Sequence, residues 1–353
     1  MAWDSVTSRI KQVLETAVHA PSGDNAQPWE FSVKRNEVSI FNVPGKDATL
    51  YNFKERGSIF AHGALIENIF IASTSHSLMP EVVAFPDPKN DNCTARILFK
   101  ESLTKKDPLA DFILERATNR KPYGKMNLSQ EHKERILAAV KNYPEGEIRL
   151  IEEPNLMKSL ARSISLNERL IIECKPIHDF LFSIIRWTEK EEREKAGLYI
   201  KTLEFSPPQI ALFRKLGDWK LAKFLAAVGF PKLISHQSAG LYASSGAIGA
   251  LLMPNDDKKS FLLAGRIFQR FWLAATRIGL GLQPITAIPY LAQRIKAGEG
   301  NELSPKHKNL IMDAYSNLVK IFGVANQTIA MIFRIGYAEA PSARSAKFSP
   351  QII

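Results

Sequence analysis

Apolar positions fall on one helical stripe over residues 5–20, where Val6, Ile10, Val13, Leu14, Ala17 and Val18 share a face and Pro21 ends the run. Alternating patterns then predict strands at 29–34 and 37–42, joined by Lys34-Arg35-Asn36. Residues 57–75, rich in small and apolar groups, predict a long buried helix, and strands near 81–85 and 94–100 close a first unit. Asp107-Pro108 places an N-cap before a proline and predicts a helix through about 117. A helix from Ser129 to about 142 and a strand near 147–152 follow. Residues 154–228 read as mostly helical, with many charges between 186 and 195 and a break at Ser206-Pro207-Pro208. Strand patterning resumes at 241–253, a long helix is expected at 257–278, and Ser304-Pro305 caps another to about 321. A last strand at 328–337 precedes an irregular basic tail.

Two of these helices resemble each other. Gly63 to Thr74, set without a gap against Gly265 to Thr276, brings Gly, Leu or Ile, Ala and Thr into register, and Leu78 then meets Leu280. Shared helical periodicity accounts for part of this; duplication of one α+β unit accounts for all of it. Length agrees, since 353 residues at roughly 150 per domain make about two units.

A hydrophobic content of 45% and a charged content of 24% exclude a disordered or collagen-like chain. Cys93 and Cys174 stand alone, so neither a disulfide framework nor a thiolate metal site is expected. The start, Met-Ala-Trp-Asp-Ser, has no basic or apolar leader region. The longest uncharged run, 236–255, is broken by Gly240, Gly246, Gly249 and Pro254 and reads as buried sheet, so no membrane partner is expected and a cytoplasmic location is. The charge of +11 is dispersed along helices, which argues against nucleic acid and fits a small anionic ligand.

Familiar catalytic spacings are missing. There is no Gly-x-Gly-x-x-Gly, Gly-x-x-x-x-Gly-Lys, His-Glu-x-x-His or Gly-x-Ser-x-Gly, and the seven histidines are scattered. No metal site is expected, and His62, on an apolar helix, reads as a satisfied core histidine. Two stretches stand out. Ala20 to Phe31 packs Pro21, Ser22, Gly23, Asp24, Asn25 and Gln27 into a polar turn before Pro28-Trp29; it is either a plain helix-to-strand connection or a loop that approaches a ligand's polar rim. Arg116 to Tyr123 gathers Arg116, Thr118, Arg120 and Lys121 at a helix exit; it is either a solvated helix end or a phosphate clamp built from guanidiniums and a hydroxyl. Arg334 and Arg344 add further positive charge.

At these residues the sequence resembles the FMN-dependent nitroreductase superfamily. The resemblance rests on Ala-Pro-Ser-x-x-Asn-x-Gln-Pro-Trp-x-Phe at 20–31 and on Arg-x-Thr-x-Arg at 116–120. It rests also on Gly265 through Gly279-Leu280-Gly281-Leu282-Gln283-Pro284, and on Arg334-Ile335-Gly336-Tyr337 with Pro341 to Arg344. The implied fold is α+β: two fused nitroreductase-like copies, rich in antiparallel sheet, with long central helices and a helical insertion. The implied halves are 1–105 and 106–353, with a lid or insertion at about 175–235. The Pro-Ser-x-x-Asn turn occurs only in the first half and the Arg-x-Thr-x-Arg clamp only in the second. The resemblance therefore implies an internal pseudo-dimer with one assembled flavin site, monomeric in solution, a homodimer being the alternative.

By the same resemblance, FMN phosphate sits against Arg116, Thr118, Arg120 and Arg344. Pro21, Ser22, Gly23 and Asn25 line the ring and ribityl side, and the backbone of Gln283, Pro284, Ile285 and Thr286 meets the ring edge. No catalytic side chain is implied, because the flavin carries the chemistry. NAD(P)H is the implied donor and a small planar nitroaromatic, quinone or similar molecule the acceptor. The alternatives are a flavin-holding protein with little turnover and an α+β protein with no cofactor.

Overall fold

The computed structural model describes residues 2–353, with side chains from Val6 onward; Met1, where the leader reading begins, lies outside the described residues. The chain opens with α1 (Ala2–Ala17), β1 (Trp29–Lys34) and β2 (Glu37–Asn42), then α2 (Arg56–Ser73), β3 (Leu78–Ala84) and β4 (Cys93–Glu101). The β1–β2 hairpin pairs Trp29 with Asn42 through Lys34 with Glu37 and turns at Arg35, whose φ is +55°. The four strands form an antiparallel sheet ordered β1-β2-β4-β3.

A second series follows with α3 (Gln130–Ala138) and β5 (Glu147–Ile151). Between β5 and its partner strand lies a block of helices: α4 (Pro154–Ile164), α5 (Leu166–Glu173) and α6 (Lys175–Ile184), then β6 (Ile185–Arg186), α7 (Glu189–Glu194) and β7 (Leu198–Tyr199). It ends with α8 (Pro207–Leu216), α9 (Trp219–Ala227) and α10 (Phe230–Ala243). The series resumes with β8 (Ala247–Met253), α11 (Lys258–Arg277), β9 (Leu280–Ile285), α12 (Ala287–Lys296), α13 (Pro305–Phe322) and β10 (Thr328–Tyr337). Its sheet is ordered β5-β8-β10-β9 and is also antiparallel. In both sheets the spatial order is first, second, fourth, third along the chain, and in both a long helix (α2 or α11) joins the second strand to the third.

These two helices cross at their glycines. A methyl group on Gly63 would lie 1.9 Å from the Leu262 carbonyl oxygen, and one on Gly265 would lie 1.9 Å from that of Phe60. Leu262 precedes Gly265 by three residues, as Phe60 precedes Gly63, so one contact is made twice about a local two-fold. Around the crossing, the Phe60 and Phe268 rings are 5.8 Å apart and Gln269 Nε2 donates to Asn68 Oδ1 at 2.7 Å. Glu67 on α2 is wholly buried. Its carboxylate is held by the guanidiniums of Arg266 and Arg270 and by the Tyr143 hydroxyl, the combination of opposite charge and hydrogen bonding that a buried anion requires.

The expected helix from Asp107 to about 117 is not formed; only one short turn, Ala110–Phe112, is helical. The local cap does form, with Asp107 Oδ1 accepting from Leu109 N at 2.9 Å, but Oδ2 accepts from Arg270 at 3.1 Å and the Asp107 N–H donates to Thr74 Oγ1 at 2.8 Å, which ties the segment to the ends of α2 and α11. Arg116 to Arg120 therefore lie in an irregular segment and not at a helix exit. The strand expected at 241–253 starts at Ala247, because α10 continues to Ala243. Strand β9 and helix α12 were not among the expected elements: β9 is buried along almost its whole length, and α12 carries Pro289 in its first turn. Ser129 and Ser304 cap α3 and α13 as their positions imply, accepting from His132 N and His307 N.

Candidate functional site

The turn after α1 is held in a conformation that L-residues seldom adopt. Asp24, Asn25 and Gln27 have φ of +47°, +59° and +49°, each costing on the order of 1–2 kcal/mol against an ordinary backbone. Hydrogen bonds fix it. Ser22 Oγ accepts from Gln27 N at 3.0 Å, Asn25 Nδ2 donates to Ala346 O at 3.0 Å, and Gln27 Oε1 accepts from Phe348 N at 3.0 Å. The last residues of the chain thus fold back over the turn and run beside β1, where Ile352 bridges Phe31 in parallel. Gly23 is needed for its small size: a methyl group there would stand 2.9 Å from Asp47 Oδ2. Behind the turn, the buried His62 ring bridges Pro28 O at 2.9 Å and Thr94 Oγ1 at 2.8 Å. Burial pushes its pKa down to about 4, as for a satisfied neutral core histidine.

A cluster of cations meets this turn. The Arg116 guanidinium lies 4.4 Å over the Trp272 ring and donates to His19 O at 2.8 Å, while its buried Nε has no partner. Lys347 Nζ donates to Ala20 O at 2.9 Å and to Asn25 Oδ1 at 2.7 Å. Arg344 donates to Leu114 O at 2.7 Å. Burial, then the charge of Arg344, pulls Arg116 down to about 9; burial, then the charge of Arg116, pulls Lys347 down to about 7. Burial and the same two cations lower His19. The opposing carboxylate is Glu192, whose Oε2 is itself buried without a partner. Positive charge is therefore in excess in a poorly solvated place, the electrostatic condition that an anion relieves.

Arg120 donates to Thr202 O at 3.1 Å, and the charge of Asp24 partly offsets the downward pull of burial on it. Thr118, between the two arginines, is half-buried. Wholly buried Arg334 organises the neighbouring edge of the sheet. Its Nε donates to Gln283 Oε1 at 2.7 Å, its NH2 donates to Lys121 O at 2.9 Å, and Tyr123 stacks on it at 4.0 Å. Asn119 N donates to Leu282 O at 3.0 Å, so the 116–121 segment is stitched to the free edge of β9. Pro284 is half-buried on that strand, whereas Ile285 turns into the core of the second sheet. The structure thus brings the 21–25 turn together with Arg116, Arg120 and Arg344, and Gln283 together with the clamp segment through Arg334.

Sequence missed Lys347, Glu192 and two further acids, and it did not show that Asp24 of the polar turn meets Arg120. Lys347 lies 322 positions from Asn25, and nothing in its spacing marks it. The two acids are Asp47 and Glu168, which burial raises to about 8 and 7, as it raises Asp24 to about 6. The charges of Asp24 and Glu55 push Asp47 further up, whereas the Tyr242 hydroxyl, donating to Glu168, holds that group back. Groups that exchange protons near neutral pH in such surroundings are suited to proton handling. For Asp47 the folded pKa of about 8 lies above the unfolded value of 3.8, so the folded chain keeps a proton that the unfolded chain loses, and stability falls as pH rises across that window. Asp47→Asn is expected to raise Tm by several degrees at pH 8 and to change it little at pH 4, read by thermal melts at both values.

No family model matches the chain. It is 25% identical over 281 residues to a Mycobacterium tuberculosis protein named provisionally as an NAD(P)H nitroreductase, covering 78% of this chain and 76% of that protein. Over most of its length the chain is similar to that protein. An uncharacterized Mycobacterium tuberculosis protein is 22% identical over 346 residues, 97% of this chain and 47% of its own, so the chain spans about half of that relative's length. Among solved structures, an FMN-dependent nitroreductase from Mycobacterium smegmatis in complex with NADPH aligns over 68% of this chain and 94% of its own, at 14% identity and a TM-score of 0.38. Within the α+β fold, the polar turn leads into β1 of the first sheet, and the arginine segment is hydrogen-bonded to β9 of the second.

Proposed function

We propose that the chain is an FMN-dependent oxidoreductase that passes hydride from NAD(P)H to a small planar acceptor, a nitroaromatic or a quinone. The observation that carries this is the cation cluster of Arg116, Arg344 and Lys347 at the polar turn, with Arg116 Nε unpartnered. Its chemistry fits a flavin phosphate. Arg116, Arg120 and Arg344 would hold the phosphate with the Thr118 hydroxyl. Pro21, Ser22, Gly23 and Asn25 would line the ring and ribityl chain, and the edge of β9 from Gln283 to Ile285 would flank the ring. A bound FMN supplies the hydride chemistry, so the protein's part is to bind, orient and screen.

Residues 1–105 and 106–353 are read as two nitroreductase-like halves fused into a pseudo-dimer with one site. The matching strand order and the reciprocal glycine crossing support this reading. The α2–α11 interface is then satisfied within one chain, which favours a monomer. Among the described residues no helix is long and apolar enough to cross a membrane, and a cytoplasmic location fits the chain's chemistry.

One observation favours a second reading, a flavin-holding protein with little turnover. The helical block and the tail lie over the clamp: Arg120 donates to Thr202 O, and Ser342 donates to Glu204 through both its N–H and its hydroxyl. Flavin released per chain, measured beside NADH and NADPH oxidation with a nitroaromatic or quinone acceptor, tests both. One FMN per chain with turnover above free FMN is expected. One FMN without turnover would leave the holding role, and no FMN even in excess cofactor would reject both readings.

A further inference from the structure

The helical block carries apolar side chains that the chain itself does not cover. Phe224, Val228 and Leu233 are 64%, 66% and 52% exposed. On α9, Lys220, Lys223, Phe224, Ala227 and Val228 form one outward stripe, all exposed, while Ala222 faces inward. Gly229, with φ +86°, reverses the chain directly after Val228, so Lys232 and Leu233 open α10 at the same corner. Lys232 also lines a cavity of about 260 Å³ with Arg162, Ser165, Arg169, Ser235 and His236. From Phe205 to Asn255 the sequence holds five bases (Arg214, Lys215, Lys220, Lys223 and Lys232) against one acid, Asp218, whose carboxylate is used to cap α9.

We propose that the α9–α10 corner docks on an anionic phospholipid surface. Phe224, Val228 and Leu233 enter the headgroup boundary, and Lys220, Lys223 and Lys232 face lipid phosphates, with the cationic cavity taking one headgroup. Charge and composition choose this occupant. A second copy meeting the corner about a two-fold would set lysine against lysine. A nucleic acid would use the lysines and leave the apolar centre without a role. Apolar tips ringed by lysine are the pattern that seats a protein on a charged bilayer without crossing it. Among the described residues no helix is long and apolar enough to cross a membrane, and docking at the headgroup boundary needs none.

The test is co-sedimentation of the full chain with vesicles of phosphatidylcholine alone, or of equal phosphatidylcholine and phosphatidylglycerol, at low and high salt. The chain is expected to pellet with the mixed vesicles at low salt, to be released by high salt, and to ignore phosphatidylcholine. Lys220→Gln and Lys223→Gln should each weaken binding roughly five-fold. Phe224→Ser with Val228→Ser should weaken it at least about ten-fold. These positions are exposed, so folding and flavin content should stay as in the parent, which separates failure here from failure of the flavin reading. No pelleting with mixed vesicles, or variants that pellet as the parent does, would overturn the proposal. So would a dimer in sedimentation velocity that the Phe224 and Val228 changes dissolve, which would assign the corner to a second copy.

Discussion

Replacing Arg116 and Arg120 together by alanine is expected to abolish FMN retention, with affinity falling by a hundred-fold or more. Each guanidinium offers charge-assisted bonds to a phosphate, worth roughly 1.5–3 kcal/mol net, and the pair is the main source of positive charge that the 116–120 segment brings to the turn. Arg116 also packs on Trp272 at 4.4 Å, so its loss removes contact area as well as charge. Arg116→Met keeps much of that packing and serves as the folding control. Riboflavin, which lacks the phosphate, separates the two roles: the parent should prefer FMN strongly, and both variants should lose that preference. Equal FMN affinity in parent and double variant, by fluorescence titration, would remove the clamp from the site. The pH dependence has a definite sign. Burial and the charge of Arg116 bring Lys347 to about 7, so affinity should fall as pH rises from 7 to 9 and its ammonium is neutralised, while the guanidiniums keep their charge.

Gly63→Ala and Gly265→Ala are each expected to cost about 4 kcal/mol or more, near the upper end of single substitutions. A methyl group at either position would lie 1.9 Å from a carbonyl oxygen of the opposing helix, and backbone cannot rotate aside as a side chain can. Relief requires α2 and α11 to separate, which would unpack Phe60 from Phe268 and expose the buried Glu67 network. The two changes act on one separation, so the double variant should cost less than the sum. Gly240 on α10 gives the contrast: nothing lies within 4 Å of its added methyl, and Gly240→Ala should stabilise by up to about 1 kcal/mol. Denaturant midpoints of all four variants check the set. Small losses at both crossing glycines would mean that the helices are not locked by backbone approach.

Strands β1 and β2 and helices α2, α11 and α13 were legible in the sequence because each carries a local signal. These signals are alternation in the first hairpin, a small-residue stripe in the crossing helices, and a serine-proline start at Ser304. Segments that answer to distant partners were not legible. Asp107-Pro108 has the local signature of a helix start and does cap Leu109 N, yet its other carboxylate oxygen pairs with Arg270, 163 positions away, and only one short turn forms. Strand β9 shows no alternation because helices and sheet cover nearly all of it.

The site divides in the same way. The 20–31 turn and the 116–120 segment are contiguous, so their density of polar groups could be read directly. Their meeting could not. Lys347 reaching Asn25, Arg334 clasping Gln283, and Asp24 facing Arg120 all join residues far apart in the chain. What the sequence by itself determined was the repeated α+β pattern, the two polar motifs and the excess of basic residues, because these depend on neighbours within a few positions. The tertiary structure alone decided which cations converge, which acids are pushed toward neutral pH, and which apolar groups remain exposed at the α9–α10 corner. Those properties depend on desolvation and on charges brought together through space, and neither is encoded in local spacing.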